Sequence, residues 1–219
     1  MSDQNKNPVL VGIEGGIGAG KTTLLTHLEK SYRVIYEPVD DWLEFMDPKS
    51  GKSLFELFYH DKAKYAFAFQ MMILETRFDN FEKHLKDVEP GEIVFCERTL
   101  DTDLEIFANL MQRKGLMTDI ERSVYGRYQG LLARLSKYAV SHIIYLRTNP
   151  DVCAERINTR ARKGEENMDP QYIIDIHEAH EAWLINGLGK IPVHVVDATE
   201  NDKSKVRADV ERIIDLHVY

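Results

Sequence analysis

Gly15-Gly16-Ile17-Gly18-Ala19-Gly20-Lys21-Thr22 fits the pattern G-x-x-x-x-G-K-[ST] and stands directly after a short apolar run, residues 9–14. Glycines at that spacing let the backbone turn tightly and aim several N–H groups at phosphate oxygens. A helix opening at Lys21 adds the positive end of its dipole, and Lys21 itself adds a full charge. Thr22 can reach Mg²⁺ through its hydroxyl, and Thr23 continues the same helix start, so residues 15–23 read as a phosphate cradle. A glycine-rich turn of purely structural purpose is the alternative, a chance match on the order of once in a hundred chains of this length at average residue usage.

Three other places carry residue types that phosphate chemistry needs. In Tyr36-Glu37-Pro38-Val39-Asp40-Asp41-Trp42, Pro38 keeps Glu37 extended rather than helical. Glu37 can then act as a general base, since a carboxylate accepting a hydroxyl proton contributes about 10²- to 10⁴-fold to phosphoryl transfer. Glu97-Arg98-Thr99 offers one acid and one fixed cation. Glu97 can hold Mg²⁺ or its waters, and Arg98 can orient the base and neutralise charge at the reacting centre. Arg156, Arg160 and Arg162 precede Lys163-Gly164-Glu165-Glu166-Asn167, the composition of a mobile lid at about residues 160–168. Its arginines can spread over a transferring phosphoryl group and exclude water. Taken singly, a solvated loop glutamate, a surface ion pair and a basic helix face are the competing readings.

These residues need a scaffold, and the hydrophobic pattern supplies one. Short apolar runs bounded by turn residues predict strands at 9–14, 33–36, 93–96, 142–146 and 193–197. Helical periodicity predicts helices at 21–30, 61 to about 86, 101–113, 118–137, 150–160, 169–186 and 203–217. Alternation of the two gives an α/β fold, a five-stranded parallel sheet buried on both faces by helices. Ligands of such sheets bind outside the carboxyl ends of the strands, where residues 15–23, Glu37, Glu97 and Arg98 all fall.

The chain of 219 residues suits one domain. With 28 basic and 36 acidic residues, its net charge of -8 disfavours a nucleic-acid polymer as partner and leaves small phosphate ligands open. Two cysteines, Cys96 and Cys153, make neither a disulfide scaffold nor a paired zinc motif. No apolar segment approaches membrane-spanning length, and Met1 to Pro8 is polar, so cytoplasmic residence is expected.

A phosphate cradle alone is shared by switch GTPases, motor ATPases and small-molecule kinases. The guanine-reading N-K-x-D pattern is approached only by Asn5-Lys6-Asn7-Pro8, ahead of the first strand, which argues against a switch. Together the motifs resemble the deoxynucleoside kinase family over nearly the whole chain. The resemblance is carried by residues 15–22, Glu37-Pro38-Val39 with Trp42, Phe69-Gln70, Glu97-Arg98-Thr99 with Asp103, Arg156 with Arg160-Ala161-Arg162, and His177-Glu178-Ala179-His180-Glu181-Ala182-Trp183-Leu184.

That resemblance implies a P-loop kinase fold, a homodimer, and transfer of the γ-phosphoryl group of ATP, with Mg²⁺, to a deoxynucleoside 5′-hydroxyl. By the same likeness Glu37 is the base with Arg98 beside it, Glu97 serves the metal, and Arg160 and Arg162 belong to the lid. Tyr59 and Glu165 meet the sugar 3′-hydroxyl, Trp42 and Phe69 meet the base, Gln70 meets its hydrogen-bonding edge, and Arg156 lies near adenine. Lys163-Gly164 stands where relatives carry other lid residues, which leaves Glu165 and Glu166 as alternative sugar contacts.

Gln70, Ile73 and Arg77, at offsets of three and seven, share one helix face and predict one pocket wall. By resemblance, Arg77 and Asp103 fall where deoxycytidine and deoxyguanosine kinases carry Arg and Asp, implying preference for deoxyadenosine, deoxyguanosine or deoxycytidine over thymidine. Two alternatives remain. A thymidylate kinase-like nucleoside monophosphate kinase would need extra cations for its acceptor, and Glu37 and Asp103 oppose that. A non-catalytic nucleotide-binding regulator would keep the fold without turnover.

Overall fold

The computed structural model describes residues 7–136, 138–162, 165, 168–187, 191–200 and 202–218. Five strands, β1 (Val9–Glu14), β2 (Arg33–Ile35), β3 (Ile93–Glu97), β4 (Val140–Arg147) and β5 (Val193–Asp197), form one parallel sheet in the order β2-β3-β1-β4-β5. The sequence expectation holds for all five, with β2 ending one residue short at Ile35, β3 running on to include Glu97, and β4 beginning two residues earlier and ending one later. β1 and β3 are buried along almost their whole length, as a central parallel strand requires.

Alternation along the strands sends successive side chains to opposite faces. Val11, Ile13, Phe95, Ile144 and Leu146 pack against one set of helices: α1 (Lys21–Leu28), α7 (Pro150–Arg160) and α9 (Lys203–Ile213, continuing as a π-helical Ile214–Val218). Leu10, Val94 and Cys96 meet the other face, where α4 (Lys62–Leu85) brings Phe81 and Leu85. Cys96 and Cys153 are both buried free thiols.

Two short helices were not expected: α2 (Val39–Glu44) and α3 (Leu54–His60). Pro38 caps the first. The second opens on a capping box, in which Ser53 Oγ accepts the Glu56 N–H at 3.2 Å and Glu56 Oε2 accepts the Ser53 N–H at 3.0 Å. A single helix was expected at 101–113. Instead α5 begins at Leu100–Thr102, passes through a π-helical Asp103–Ala108 and returns to α-helix at Asn109–Arg113. The wider turn begins at Asp103, a candidate site residue, in keeping with the tendency of π-bulges to sit at functional positions.

α6 (Asp119–Leu135) is capped by Thr118, which accepts from the Glu121 N–H, and packs on α4. Its expected end at Lys137 lies outside the described residues. α8 runs Pro170–His180 and continues as a π-helical Glu181–Ile185. Trp42, Phe55, Phe58, Phe69, Ile73, Ile106 and Tyr172, from α2, α3, α4, α5 and α8, form an apolar cluster beside the carboxyl ends of the strands. That cluster is one wall of the site.

Candidate active site

A cavity of about 1080 Å³ opens over the carboxyl edge of the sheet, large enough for two small ligands side by side. Its floor begins with the turn after β1, where Gly15 (φ 146°) and Gly18 (φ 80°) take backbone conformations closed to most side chains. A Cβ on Gly18 would come within 2.5 Å of the Cys153 carbonyl oxygen, and one on Gly15 within 2.8 Å of that of Leu146. Glycine is therefore required for the loop to lie between β4 and α7.

Ile17, Gly18, Ala19, Gly20, Lys21, Thr22 and Thr23 line the cavity, whereas Gly15 and Gly16, expected with them, do not. The carbonyls of Gly15 and Gly16 accept the Lys21 ammonium at 3.1 and 3.0 Å, which holds its charge at the loop. Burial, then the nearby Arg98, push the Lys21 pKa down to about 8.

Thr22 Oγ1 lies 3.0 and 3.2 Å from the two carboxylate oxygens of Glu97, so the two residues expected to serve a metal are neighbours. Burial, reinforced by the Glu37 carboxylate, raises the Glu97 pKa, and a divalent cation would relieve that cost. Glu37, two residues beyond the end of β2, offers Oε1 to two guanidinium groups: Arg77 Nη2 at 2.8 Å and Arg98 Nε at 3.1 Å. Burial alone would raise its pKa, but Arg98, Arg77 and Lys21 outweigh burial and hold it at about 2.

Arg98 sits at φ 65°, a left-handed conformation unusual for a residue with a side chain, and its guanidinium lies over the Phe107 ring at 5.0 Å. Arg77 is almost fully buried and committed in three directions. It donates to Glu37, to Asp103 Oδ2 at 2.8 Å and to the Glu97 carbonyl at 3.0 Å. The Arg77–Asp103 pair expected from the sequence is present; the bridge from Arg77 to Glu37 was not foreseen. Burial raises the Asp103 pKa despite Arg77.

Gln70, Ile73 and Arg77 share the inner face of α4 and all line the cavity, with Trp42, Tyr59, Phe69 and Asp103. Phe69 stacks on Phe58 with centroids 4.3 Å apart, and Trp42 meets it edge-on at 6.5 Å while donating Nε1 to Thr76 Oγ1 at 2.9 Å. Gln70 Oε1, Asp103 Oδ1 and Arg98 Nη1 are buried atoms without a hydrogen-bond partner among the described residues. Buried polar atoms are almost always satisfied, so three orphans around one cavity are what a polar ligand would complete.

At the opposite end Arg156 donates to the carbonyls of Ala19, Ala198 and Glu200, tying the phosphate loop to the segment after β5. Arg160 Nη2 pairs with Glu165 Oε2 at 2.6 Å and Arg162 Nη1 with Glu165 Oε1 at 3.5 Å, so the expected lid arginines and sugar carboxylate form one cluster on the cavity wall. Tyr59 has its pKa raised well above the ordinary value, mainly by burial and then by Tyr172 and Glu165. Lys163, Gly164, Glu166 and Asn167 of the expected lid lie outside the described residues.

Sequence reasoning missed Phe55, Phe58, Phe107 and Tyr172 on the apolar wall and Lys203 and Arg207 at the Arg156 end. The Ser53-x-x-Glu56 capping box was the available signal for α3 and its two phenylalanines. For Tyr172, Lys203 and Arg207 no local signal exists, because only the fold brings them to the cavity.

A profile of the family "Deoxynucleoside kinase" matches residues 11–218. Among curated proteins the chain is 33% identical over 175 residues to a probable deoxycytidine kinase of fowlpox virus, covering 80% of this chain and 71% of the relative. It is 30% identical over 234 aligned positions to deoxycytidine kinase 2 of Gallus gallus, covering 93% and 88%. It is 28% identical over 212 to mitochondrial thymidine kinase 2 of Homo sapiens, covering 94% and 74%. With the parallel sheet, the phosphate loop and a match across almost its entire length, the chain belongs to the deoxynucleoside kinase family, enzymes that take a phosphoryl group from ATP.

Proposed function

We propose that the chain transfers the γ-phosphoryl group of ATP, or of another nucleoside triphosphate, to the 5′-hydroxyl of a deoxynucleoside, favouring deoxyadenosine, deoxyguanosine and deoxycytidine over thymidine. Relatives named for deoxycytidine and for thymidine both match, so the base preference must be argued from the cavity. The observation that carries it is the pair of orphan oxygens, Gln70 Oε1 and Asp103 Oδ1, on the wall beside Arg77. Both are acceptors. Adenine, guanine and cytosine bring an exocyclic amino group to such a wall; thymine has only its ring N3–H to donate there, and it adds a methyl group and puts a carbonyl where cytosine has the amino group.

In this reading residues 15–23 bind the triphosphate, with Lys21 neutralising its charge and Arg156 near the adenine. Thr22 and Glu97 would hold Mg²⁺, directly or through water. Both present hard oxygen atoms, and they already approach to 3.0 Å. When bound, the ion neutralises charge on the phosphates during transfer.

Glu37 orients the 5′-hydroxyl and takes its proton. Because Oε1 is engaged by Arg77 and Arg98, Oε2 is the oxygen left to receive it. Arg160 and Arg162 swing from Glu165 to the phosphates as the lid closes, which frees Glu165 to join Tyr59 at the sugar 3′-hydroxyl. Trp42, Phe69 and Ile73 enclose the base.

One catalytic unit over residues 1–219, a homodimer and cytoplasmic residence complete the proposal. α6 exposes Ile120, Tyr128, Leu131 and Leu135, an apolar face that a second copy would cover. Buried free thiols suit a reducing compartment. No helix among the described residues is long and apolar enough to cross a membrane.

A steady-state assay of the four deoxynucleosides with ATP and Mg²⁺ tests the proposal. The expected result is turnover, with kcat/KM for thymidine the lowest. Thymidine as best substrate would overturn the base preference and leave phosphoryl transfer standing. No turnover with any of the four would overturn the proposal.

A further inference from the structure

Two buried ionisable groups take no part in the cavity: Glu14, the last residue of β1, and His180, the last residue of α8 before its π-helical turn. Both are fully buried, at 0% exposure, and neither lines the cavity. Glu14 Oε1 accepts the Thr99 N–H at 3.0 Å and the Thr102 hydroxyl in a short bond. Among the described residues Glu14 Oε2 and His180 Nε2 have no hydrogen-bond partner, and they face each other across 3.9 Å.

His180 Nδ1 lies 2.7 Å from the Ile176 carbonyl oxygen, so it carries a hydrogen there. Nε2 is then an acceptor, and at 3.9 Å it stands just beyond hydrogen-bond reach of Oε2, a gap that a small shift of either side chain would close with the carboxyl protonated. Burial favours that neutral arrangement, raising the Glu14 pKa and lowering that of His180 well below the ordinary value. Stacking on Tyr145, with centroids 5.8 Å apart, fixes the imidazole plane.

The consequence for the active site runs through Arg98. Its left-handed backbone, at φ 65°, persists only if its neighbours over-determine it. Arg98 N–H donates to the Ile13 carbonyl at 3.1 Å, and the next N–H, that of Thr99, donates to Glu14. The peptide after Arg98 is thus held by Glu14, whose other carboxylate oxygen faces His180. From that position Arg98 Nε reaches Glu37 Oε1 at 3.1 Å.

We propose that Glu14 and His180 form a buried pair sharing one proton, and that this pair is a positioning device that holds Arg98 against Glu37. It gives a role to the His177–Leu184 motif, which otherwise has none in the site. Its catalytic consequence rests on the proposed phosphoryl transfer; its structural content does not.

The test measures kcat and KM for ATP and deoxycytidine in the wild type, Glu14→Ala, Glu14→Gln, Arg98→Ala and the Glu14→Ala, Arg98→Ala double variant. Glu14→Ala is expected to lower kcat at least about tenfold with KM for ATP within about twofold, a split that general destabilisation would not give. Glu14→Gln restores kcat to within about threefold, because the amide oxygen accepts from Thr99 and Thr102 and its N–H₂ donates to His180. The double variant is no slower than Arg98→Ala, since the pair acts through that side chain. Multiplicative losses, or a folded Glu14→Gln as slow as Arg98→Ala, overturn the proposal.

Should Glu14→Ala not fold, His180→Phe keeps the ring volume and removes the acceptor, and the same kcat loss is expected. A crystal structure of the alanine or phenylalanine variant gives a readout independent of turnover. Arg98 is expected to leave the left-handed region; Arg98 unmoved overturns the proposal. If the wild type phosphorylates no deoxynucleoside, only the functional reading fails and the structural arm still decides the pair.

Discussion

Arg77 Nη2 lies 2.8 Å from Glu37 Oε1, and the same guanidinium gives Nε to Asp103 Oδ2 at 2.8 Å. One buried cation therefore joins the proposed catalytic carboxylate to the proposed base-selecting carboxylate. Glu37 is strongly acidified against the pull of its burial, by the charge of Arg98 together with the charge and hydrogen bond of Arg77. A carboxylate held at about 2 is a weak base, so in the proposed transfer its contribution would come from orienting the hydroxyl and accepting a proton late, once bond formation to phosphorus has acidified that hydroxyl.

Glu37→Gln is expected to lower kcat by about 10²-fold or more with the nucleoside KM little changed, since the amide keeps the shape and loses the acceptor charge. In the wild type Glu37 is ionised at every pH above about 4, given its value of about 2. A kcat profile should then show no acid limb from Glu37 between about pH 5 and 8. A limb at such pH that vanishes in Glu37→Gln would assign a much higher value and undo the clamp by two arginines.

Lys21→Ala is expected to abolish nearly all turnover and leave the fold intact. The Lys21 pKa of about 8 adds a pH signature: the free enzyme loses this charge as pH rises through that value. kcat/KM for ATP, which reports the free enzyme, should fall above about pH 8. Bound phosphates favour the charged ammonium, so kcat at saturating ATP should fall at higher pH than kcat/KM. Coincident limbs would detach the effect from Lys21.

Arg77→Met with Asp103→Ala is expected to raise kcat/KM for thymidine relative to deoxycytidine, because the acceptor wall is replaced by apolar surface. Asp103→Ala alone leaves a buried guanidinium short of one counter-charge, at a cost of about 3–5 kcal/mol. The double variant should therefore melt at a higher temperature than Asp103→Ala. Thermal scans showing the reverse order would mean that Arg77 is held chiefly by Glu37 and the Glu97 carbonyl.

The phosphate loop and all five strands were legible because their signals are local: glycine spacing, β-branched runs and the residues that end them. Glu97 beside Thr22 followed from the rule that ligands meet strand ends, since β1 and β3 are neighbours in the sheet. Other features had no local signature. The π-helical turn at Asp103 packs against α4, α6 and α8, neighbours that only the fold supplies. The Arg77–Glu37 bond spans 40 positions, and nothing in either segment selects that partner over another. Glu14 reads as the polar end of a strand until Thr99, Thr102 and His180 surround it.

The last prediction concerns α6. Ile120, Tyr128, Leu131 and Leu135 are 72%, 52%, 43% and 58% exposed, and successive offsets of eight, three and four place them on one face of the helix. None of them lines the cavity. A self-complementary face of this kind is how a two-fold dimer is built, with each copy covering the other's stripe. Light scattering at micromolar concentration should give twice the chain mass, and Tyr128→Glu with Leu131→Glu should give the monomer, because two charges per copy would enter an apolar contact. Since none of the four enters the cavity wall, the monomer should keep kcat within about threefold of wild type if each cavity is complete in one chain. A wild-type monomer removes the dimer; a dimer that survives both charges moves the interface to another face; and a monomeric variant without activity shows that the partner copy supports the site.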